Sequence, residues 1–218
     1  MFIGHYALGL AAKRLAPKTS LGTLIAAPTL ADLLWPAFLL LGWERVTIVP
    51  GPNPFLIFEF DSYPISHSLL TLVGWGLLFG VLYRMRTGYA HGAVVVALLV
   101  VSHWVLDFVT HPPDLPISPW VSGPRVGLAL WDSPPATIIV EAIMFVTGIA
   151  LYLKTTRARD RVGRYGLGGF VAVLVLSYAA ALLSPPPSNV RALAIGGIVF
   201  GWLFVWVAAW VDRHRETT

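Results

Sequence analysis

The residues able to do chemistry in this chain are few and of one kind. His5, Asp32, His67, His103 and Asp107 lie within or at the ends of strongly apolar stretches, where water cannot solvate them. His103 and Asp107 stand four residues apart in Ser102-His103-Trp104-Val105-Leu106-Asp107, so on a helix they project from one face and can share a cation. An isolated pair of this type can also be a His–Asp hydrogen bond that satisfies two buried polar groups. Three imidazoles and two carboxylates, with no thiol or lysine among them, make a donor set suited to zinc, manganese or iron. Two carboxylates also neutralise one divalent cation, which relieves the cost of placing charge in an apolar medium. His111 follows Asp107 by one turn and Ser68 follows His67 directly, so both are additional candidates, although a serine at a helix start is also a cap. Glu141 and Asp107 are the candidates for handling a proton, with a hydrogen-bonded structural role as the alternative for Glu141. Arg125 and Asp114, in the loops beyond these residues, are placed to meet a substrate head group.

The elements that position these residues are membrane spans. Of 218 residues, 56% are apolar and 12% charged, against about 25% charged in a soluble domain. The apolar residues come in long blocks, and a helix of roughly 20 residues crosses a hydrocarbon core of about 30 Å. We expect an all-α polytopic transmembrane helix bundle in one domain, residues 1–218. Its six full spans are expected at 20–43, 66–84, 91–110, 134–154, 166–183 and 190–211, after a short N-terminal helix at 2–16. Pro36 is expected to end or bend the 20–43 span. In the first helix Lys13 and Arg14 follow the apolar stretch, the reverse of a signal peptide, so that helix is expected to be retained. The absence of cysteine removes disulfides and thiolate ligands.

Charge gives the orientation. Lys13, Arg14 and Lys18, then Arg84 and Arg86, then Lys154, Arg157, Arg159, Arg161 and Arg164, then Arg213 and Arg215 occupy every second connection. The alternate connections hold only Arg45 and Arg125 as cations. The positive-inside bias therefore predicts a cell inner membrane protein with a cytoplasmic C-terminus, and with the N-terminus and the His/Asp residues on the outer side. The net charge of +4 is a topology signal and not a nucleic-acid surface. At 1.5 Å per residue, Asp32 lies about 16 Å and His103 about 12 Å below the outer helix ends, so the candidates converge on one layer. His91 and His214 fall on the basic side and are excluded. Trp104 and Trp131 are placed to line the site. The Pro-rich outer segments Pro50-Gly51-Pro52-Asn53-Pro54 and His111-Pro112-Pro113-Asp114-Leu115-Pro116 predict a stiff cover over it.

Over most of its first 155 residues the chain resembles the membrane-bound metal-dependent hydrolases, small polytopic inner-membrane proteins. The likeness rests on Gly4-His5-Tyr6-Ala7, on Asp32 in Ala31-Asp32-Leu33-Leu34-Trp35-Pro36, on Ser66-His67-Ser68 after Tyr63-Pro64, and on the Ser102 to Asp107 stretch. The resemblance implies a His/Asp metal site carried by His5, Asp32, His67, His103 and Asp107. Many members have His-Arg-Gly shortly before the histidine, where this chain reads Ser62-Tyr63-Pro64, so the arginine that would clamp a phosphate is missing. The sequence looks closer to a Tyr-Pro-x-Ser-His-Ser subgroup, which shares the Pro-Pro-Asp-Leu-Pro loop and the stretch at Gly127 to Trp131.

The expected function is hydrolysis of a lipid or lipid-linked ester, with membrane lipids as surroundings. Two alternatives stand beside it. One is a scaffold whose metal ties helices together; the other is a proton or metal transporter, which needs polar groups continuing through the cytoplasmic half, and Thr71, Ser102 and Thr147 do not make such a path.

Overall fold

The computed structural model describes residues 1–120 and 123–218. The first helix, α1, covers Ile3–Ala11 and tightens into a 3-10 turn at Ala12–Arg14. Next come α2 (Leu21–Ala26) and α3 (Leu30–Leu40). The stretch 20–43 is thus two helices and not a continuous one. Pro28 supplies no N–H, so the hydrogen-bond ladder stops and restarts around it. Pro36, in contrast, sits inside α3 without ending it.

An antiparallel hairpin follows, β1 (Arg45–Ile48) with β2 (Phe58–Ser62), and then the single turn α4 (Pro64–His67). Helix α5 (Leu69–Thr87) begins at Ser68, whose hydroxyl accepts the Thr71 N–H, and stops at Gly88, where φ is +70°. It is followed by α6 (Ala90–Thr110), a two-residue pairing of β3 (Leu115–Pro116) with β4 (Arg125–Val126), and α7 (Pro134–Thr155). The chain closes with β5 (Thr156–Ala158), α8 (Arg161–Leu183), α9 (Val190–Arg213) and β6 (Arg215–Thr217), with β6 paired to β5.

Among the described residues five helices are long and apolar enough to cross a membrane: α5, α6, α7, α8 and α9. The chain is a multi-pass membrane protein, and its large apolar side chains face outward in the manner lipid requires: Leu98 is 64% and Leu176 is 68% exposed. The α2–α3 pair runs antiparallel to α9 over most of its length, with Gly22 against Ala209 at one end and Pro36 against Gly197 at the other. Helix α1 lies on α7 so closely that a Cβ at Gly148 would stand 2.5 Å from the Ala7 carbonyl oxygen. That approach sets the height of His5.

The bundle thus has a hairpin end, capped by β1–β2 and β3–β4, and a basic end. At the basic end Asp212 accepts hydrogen bonds from Lys13 Nζ at 2.7 Å, from the Leu21 N–H at 2.9 Å and from Tyr152 Oη at 2.7 Å. This network is absent from the sequence reading, which took Lys13 as an orientation signal. Between the two ends lies an apolar layer including Leu24, Ala27, Leu72, Val96 and Val100, all buried.

Candidate metal centre

Asp107 is the hub of the buried polar residues at the hairpin-end half. It lies on α6 one turn after His103 and one turn before His111, and its side chain is 3% exposed. Its Oδ1 is 3.1 Å from His5 Nε2 and 2.7 Å from the amino group of Met1. Its Oδ2 is 2.9 Å from His103 Nε2 and 3.7 Å from His111 Nε2. His67 Nε2 is 3.6 Å from Asp32 Oδ1. The His5 and His103 rings stack at 4.0 Å and 8°, and the His67 ring meets His103 edge-on at 5.1 Å. Two groups follow, His5–His103–Asp107 and Asp32–His67–His103, in each of which one donor atom per residue lies within 4.8 Å of the others. All five residues expected to form the metal site are therefore brought together, with His103 common to both groups.

The second nitrogen of each ring decides what the first can do. His103 Nδ1 lies 2.8 Å from the Pro28 carbonyl oxygen. A carbonyl only accepts, so Nδ1 carries the proton and Nε2 of the neutral ring is a bare lone pair. The break in the 20–43 stretch thus positions Pro28 to orient a histidine, as outer partners of metal-ligating imidazoles do. His111 Nδ1 is 2.9 Å from Asp114 Oδ1, another acceptor, so its Nε2 is bare as well. Both lone pairs face the same carboxylate oxygen. His103 Nε2 makes no hydrogen bond despite its distance from Oδ2. Lone pairs turned toward a carboxylate in a buried site repel it unless positive charge lies between them. An imidazolium at His103 would supply one proton; a divalent cation could take one donor atom from each residue of either group. The residues present fit such an ion.

The remaining candidates separate. Glu141 Oε2 accepts the N–H groups of Phe2 and Gly4, both at 2.9 Å, so it anchors the start of α1 and fixes His5, and it belongs to neither ligand group. The amino group of Met1 sits inside the bundle on Asp107, where Glu141 holds the first residues at the depth of the cluster. Ser68 is a cap, as its alternative role predicted. Asp114 Oδ1 also accepts the Tyr63 hydroxyl at 3.0 Å, and burial together with this carboxylate pushes the Tyr63 hydroxyl well above its ordinary range, so it remains a donor. Arg125 donates to the carbonyls of Phe60 and Asp61, at 3.2 and 3.0 Å, and braces the hairpin. Asp114 and Arg125 both line a cleft of about 430 Å³ beside β2. Trp131 packs on His111 at 4.1 Å, while Trp104 stacks on Phe108 and donates to the Pro116 carbonyl, away from the ligand atoms. His91 bonds the Leu15 carbonyl and His214 pairs with Asp160, both outside the cluster as expected.

Sequence reasoning missed Glu44. It is 1% exposed, and its carboxylate accepts the Ile65 N–H at 2.7 Å, the Ser66 N–H at 2.8 Å and the Ser66 hydroxyl at 2.6 Å. Ser66 Oγ in turn lies 2.6 Å from His67 Nδ1. The only signal for it was an acid directly after an apolar stretch, and a surface acid beside Arg45 gives the same signal.

Asp32 is the exception to burial. Its side chain is 46% exposed, against 5% for His67, so the cluster opens at that carboxylate.

No family model matches the chain, and neither the curated proteins nor the solved structures give a match.

Proposed function

We propose that this chain is a metal-dependent hydrolase embedded in a cell inner membrane, with one divalent ion held by His5, Asp32, His67, His103 and Asp107. Zinc suits this set of imidazoles and carboxylates best, with manganese and iron as alternatives. The observation that carries the reading is the convergence of His103 and His111 Nε2 on Asp107 Oδ2 while each ring's Nδ1 lies on an acceptor. When bound, such an ion supplies Lewis acidity that polarises an ester carbonyl and acidifies water. The chain's own groups do the rest. Pro28 and Asp114 hold the imidazoles in one tautomer; Glu141 holds α1 and with it His5; Asp32, the carboxylate at the open side, is the member placed to touch substrate.

The basic end is assigned to the cytoplasm by the positive-inside rule, which puts the cluster in the outer half of the bilayer. The α2–α3 pair counts as a sixth crossing because it follows α9 from Gly22 to Pro36. An opening at membrane depth under a braced hairpin suits a lipid or lipid-linked substrate. With Arg125 committed to two carbonyls, an acyl ester is favoured over a phosphate ester. A coordinatively closed structural site would have no use for an exposed ligand such as Asp32. A transport path would have to cross the apolar layer of Leu24, Leu72, Val96 and Val100 and then the satisfied Asp212 network.

The test is hydrolysis of a fluorogenic acyl-ester lipid by the purified protein in liposomes, after chelation and after return of zinc, manganese or iron. Activity that vanishes on chelation, returns with metal and is missing in His103→Ala supports the reading. Hydrolysis that survives chelation, or metal flux across the liposome in its place, contradicts it.

A further inference from the structure

Two of the histidines at the cluster have their protons fixed by groups that can only accept. Another, His67, faces a hydroxyl, which can donate or accept, so its tautomer depends on what holds Ser66. Three donors converge on the Glu44 carboxylate: the N–H groups of Ile65 and Ser66 on Oε1 and the Ser66 hydroxyl on Oε2. Glu44 is buried from solvent, and each of these three hydrogen bonds is donated to it. The Ser66 proton is therefore committed to Glu44, and Oγ presents only lone pairs to His67 Nδ1 at 2.6 Å.

We propose that Glu44 is a positioning residue that sets the tautomer of His67 through Ser66, keeping the proton on Nδ1 and leaving Nε2 free to bind the cation beside Asp32. The proposal rests on the metal-site reading for its purpose but not for its structural content. Glu44 lies in the connection after α3 and Ser66 in α4, so one carboxylate also ties the two segments that carry Asp32 and His67.

Glu44→Gln separates the chemistry from the packing. The amide keeps an oxygen to accept the Ile65 and Ser66 N–H groups, but its NH₂ must donate to Ser66 Oγ. The hydroxyl then turns toward His67 Nδ1, and the ring is left with its proton on Nε2, where it blocks ligation. The experiment uses full-length protein in detergent micelles, with nitrogen-15 histidine NMR to read the His67 tautomer and competition titration with zinc chloride to read affinity. The expected result is an Nδ1-protonated ring in the wild type, an Nε2-protonated ring in Glu44→Gln, and zinc binding weaker by about 10–100-fold, the usual cost of an altered outer partner. Ser66→Ala removes the hydroxyl and should give a mixed tautomer, with a smaller loss of affinity. In the double variant Glu44→Gln/Ser66→Ala the affinity should return to that of Ser66→Ala alone, because the amide has no hydroxyl left to turn; a merely structural role for Glu44 would add to the Ser66 defect instead.

The same His67 tautomer in the wild type and Glu44→Gln, or additive losses in the double variant, would overturn the proposal. If Glu44→Gln fails to fold, Ser66→Ala still decides: a ring that remains wholly Nδ1-protonated without the hydroxyl contradicts the relay. A wild type that binds no zinc contradicts the metal reading, while the tautomer shift still tests the relay on its own.

Discussion

Asp107 and Asp212 are carboxylates in the two halves of one helix bundle, with side-chain exposures of 3% and 9%, yet they are neutralised differently. Around Asp212 every neighbour is a donor: an ammonium, a peptide N–H and a phenol point their protons at it. Around Asp107 one oxygen receives Met1 and His5, while the other faces imidazole nitrogens whose protons are engaged elsewhere. The first arrangement is complete within the chain. The second is arranged so that a cation could complete it. A buried charge in a membrane protein is therefore read by its partners' protons: a finished ion pair ties helices together, and an unfinished one marks a site.

The largest expected effect breaks the site side of this comparison. Asp107→Asn removes the hub, and zinc affinity should fall by more than the about 10–100-fold typical of outer partners; isothermal titration of the chelator-treated protein checks this. Its apo stability should fall as well, because the buried Met1 ammonium loses its charged partner.

Next, Asp212→Asn leaves the Lys13 ammonium buried and unpaired, at a cost of about 3–5 kcal/mol of stability. Denaturant unfolding in micelles should show that loss, with metal content per folded chain unchanged. Equal effects of the two variants on metal binding would erase the distinction drawn between them.

A smaller effect sharpens the link between packing and site. Gly148→Val forces α1 away from α7, costing about 1–3 kcal/mol by overpacking, and it should weaken zinc binding because His5 moves with α1. Gly168→Val, on an open helix face, should do neither.

The smallest effect belongs to the basic end. Asp160 is held below the ordinary carboxylate range by the Gly163 N–H and by His214. A lowered folded pKa means its contribution to stability is complete above the unfolded value of about 3.9 and is lost as pH falls through the folded one. Amide exchange at 156–158 and 215–217 should therefore quicken, relative to the intrinsic rate, only below about pH 4, and zinc loss above that pH should leave these amides unaffected.

The spans α5 to α9 were legible because twenty apolar residues between charged connections have few other solutions, and α6 begins within one residue of its expected start. The cluster was legible because histidine and aspartate in such a setting require an explanation. What the pattern did not carry was direction and pairing. Pro28 reads as a break only once the helix is seen to stop, and its use as an acceptor for His103 depends on a contact 75 residues away. Glu44 and Lys13 each have the spacing of ordinary loop charges, and their burial comes from neighbours distant in sequence. Asp114 and Arg125 were expected to face substrate; both line the cleft beside β2, and their pairing with His111 and with a hairpin that composition did not announce was not legible.

The most direct test of the central claim is elemental analysis of the purified wild type beside His103→Ala, Asp32→Ala and Asp212→Asn. The account predicts about one divalent transition-metal ion per wild-type and Asp212→Asn chain, and a large loss in the first two variants. A wild type with no stoichiometric metal, or His103→Ala retaining the wild-type content, would contradict it.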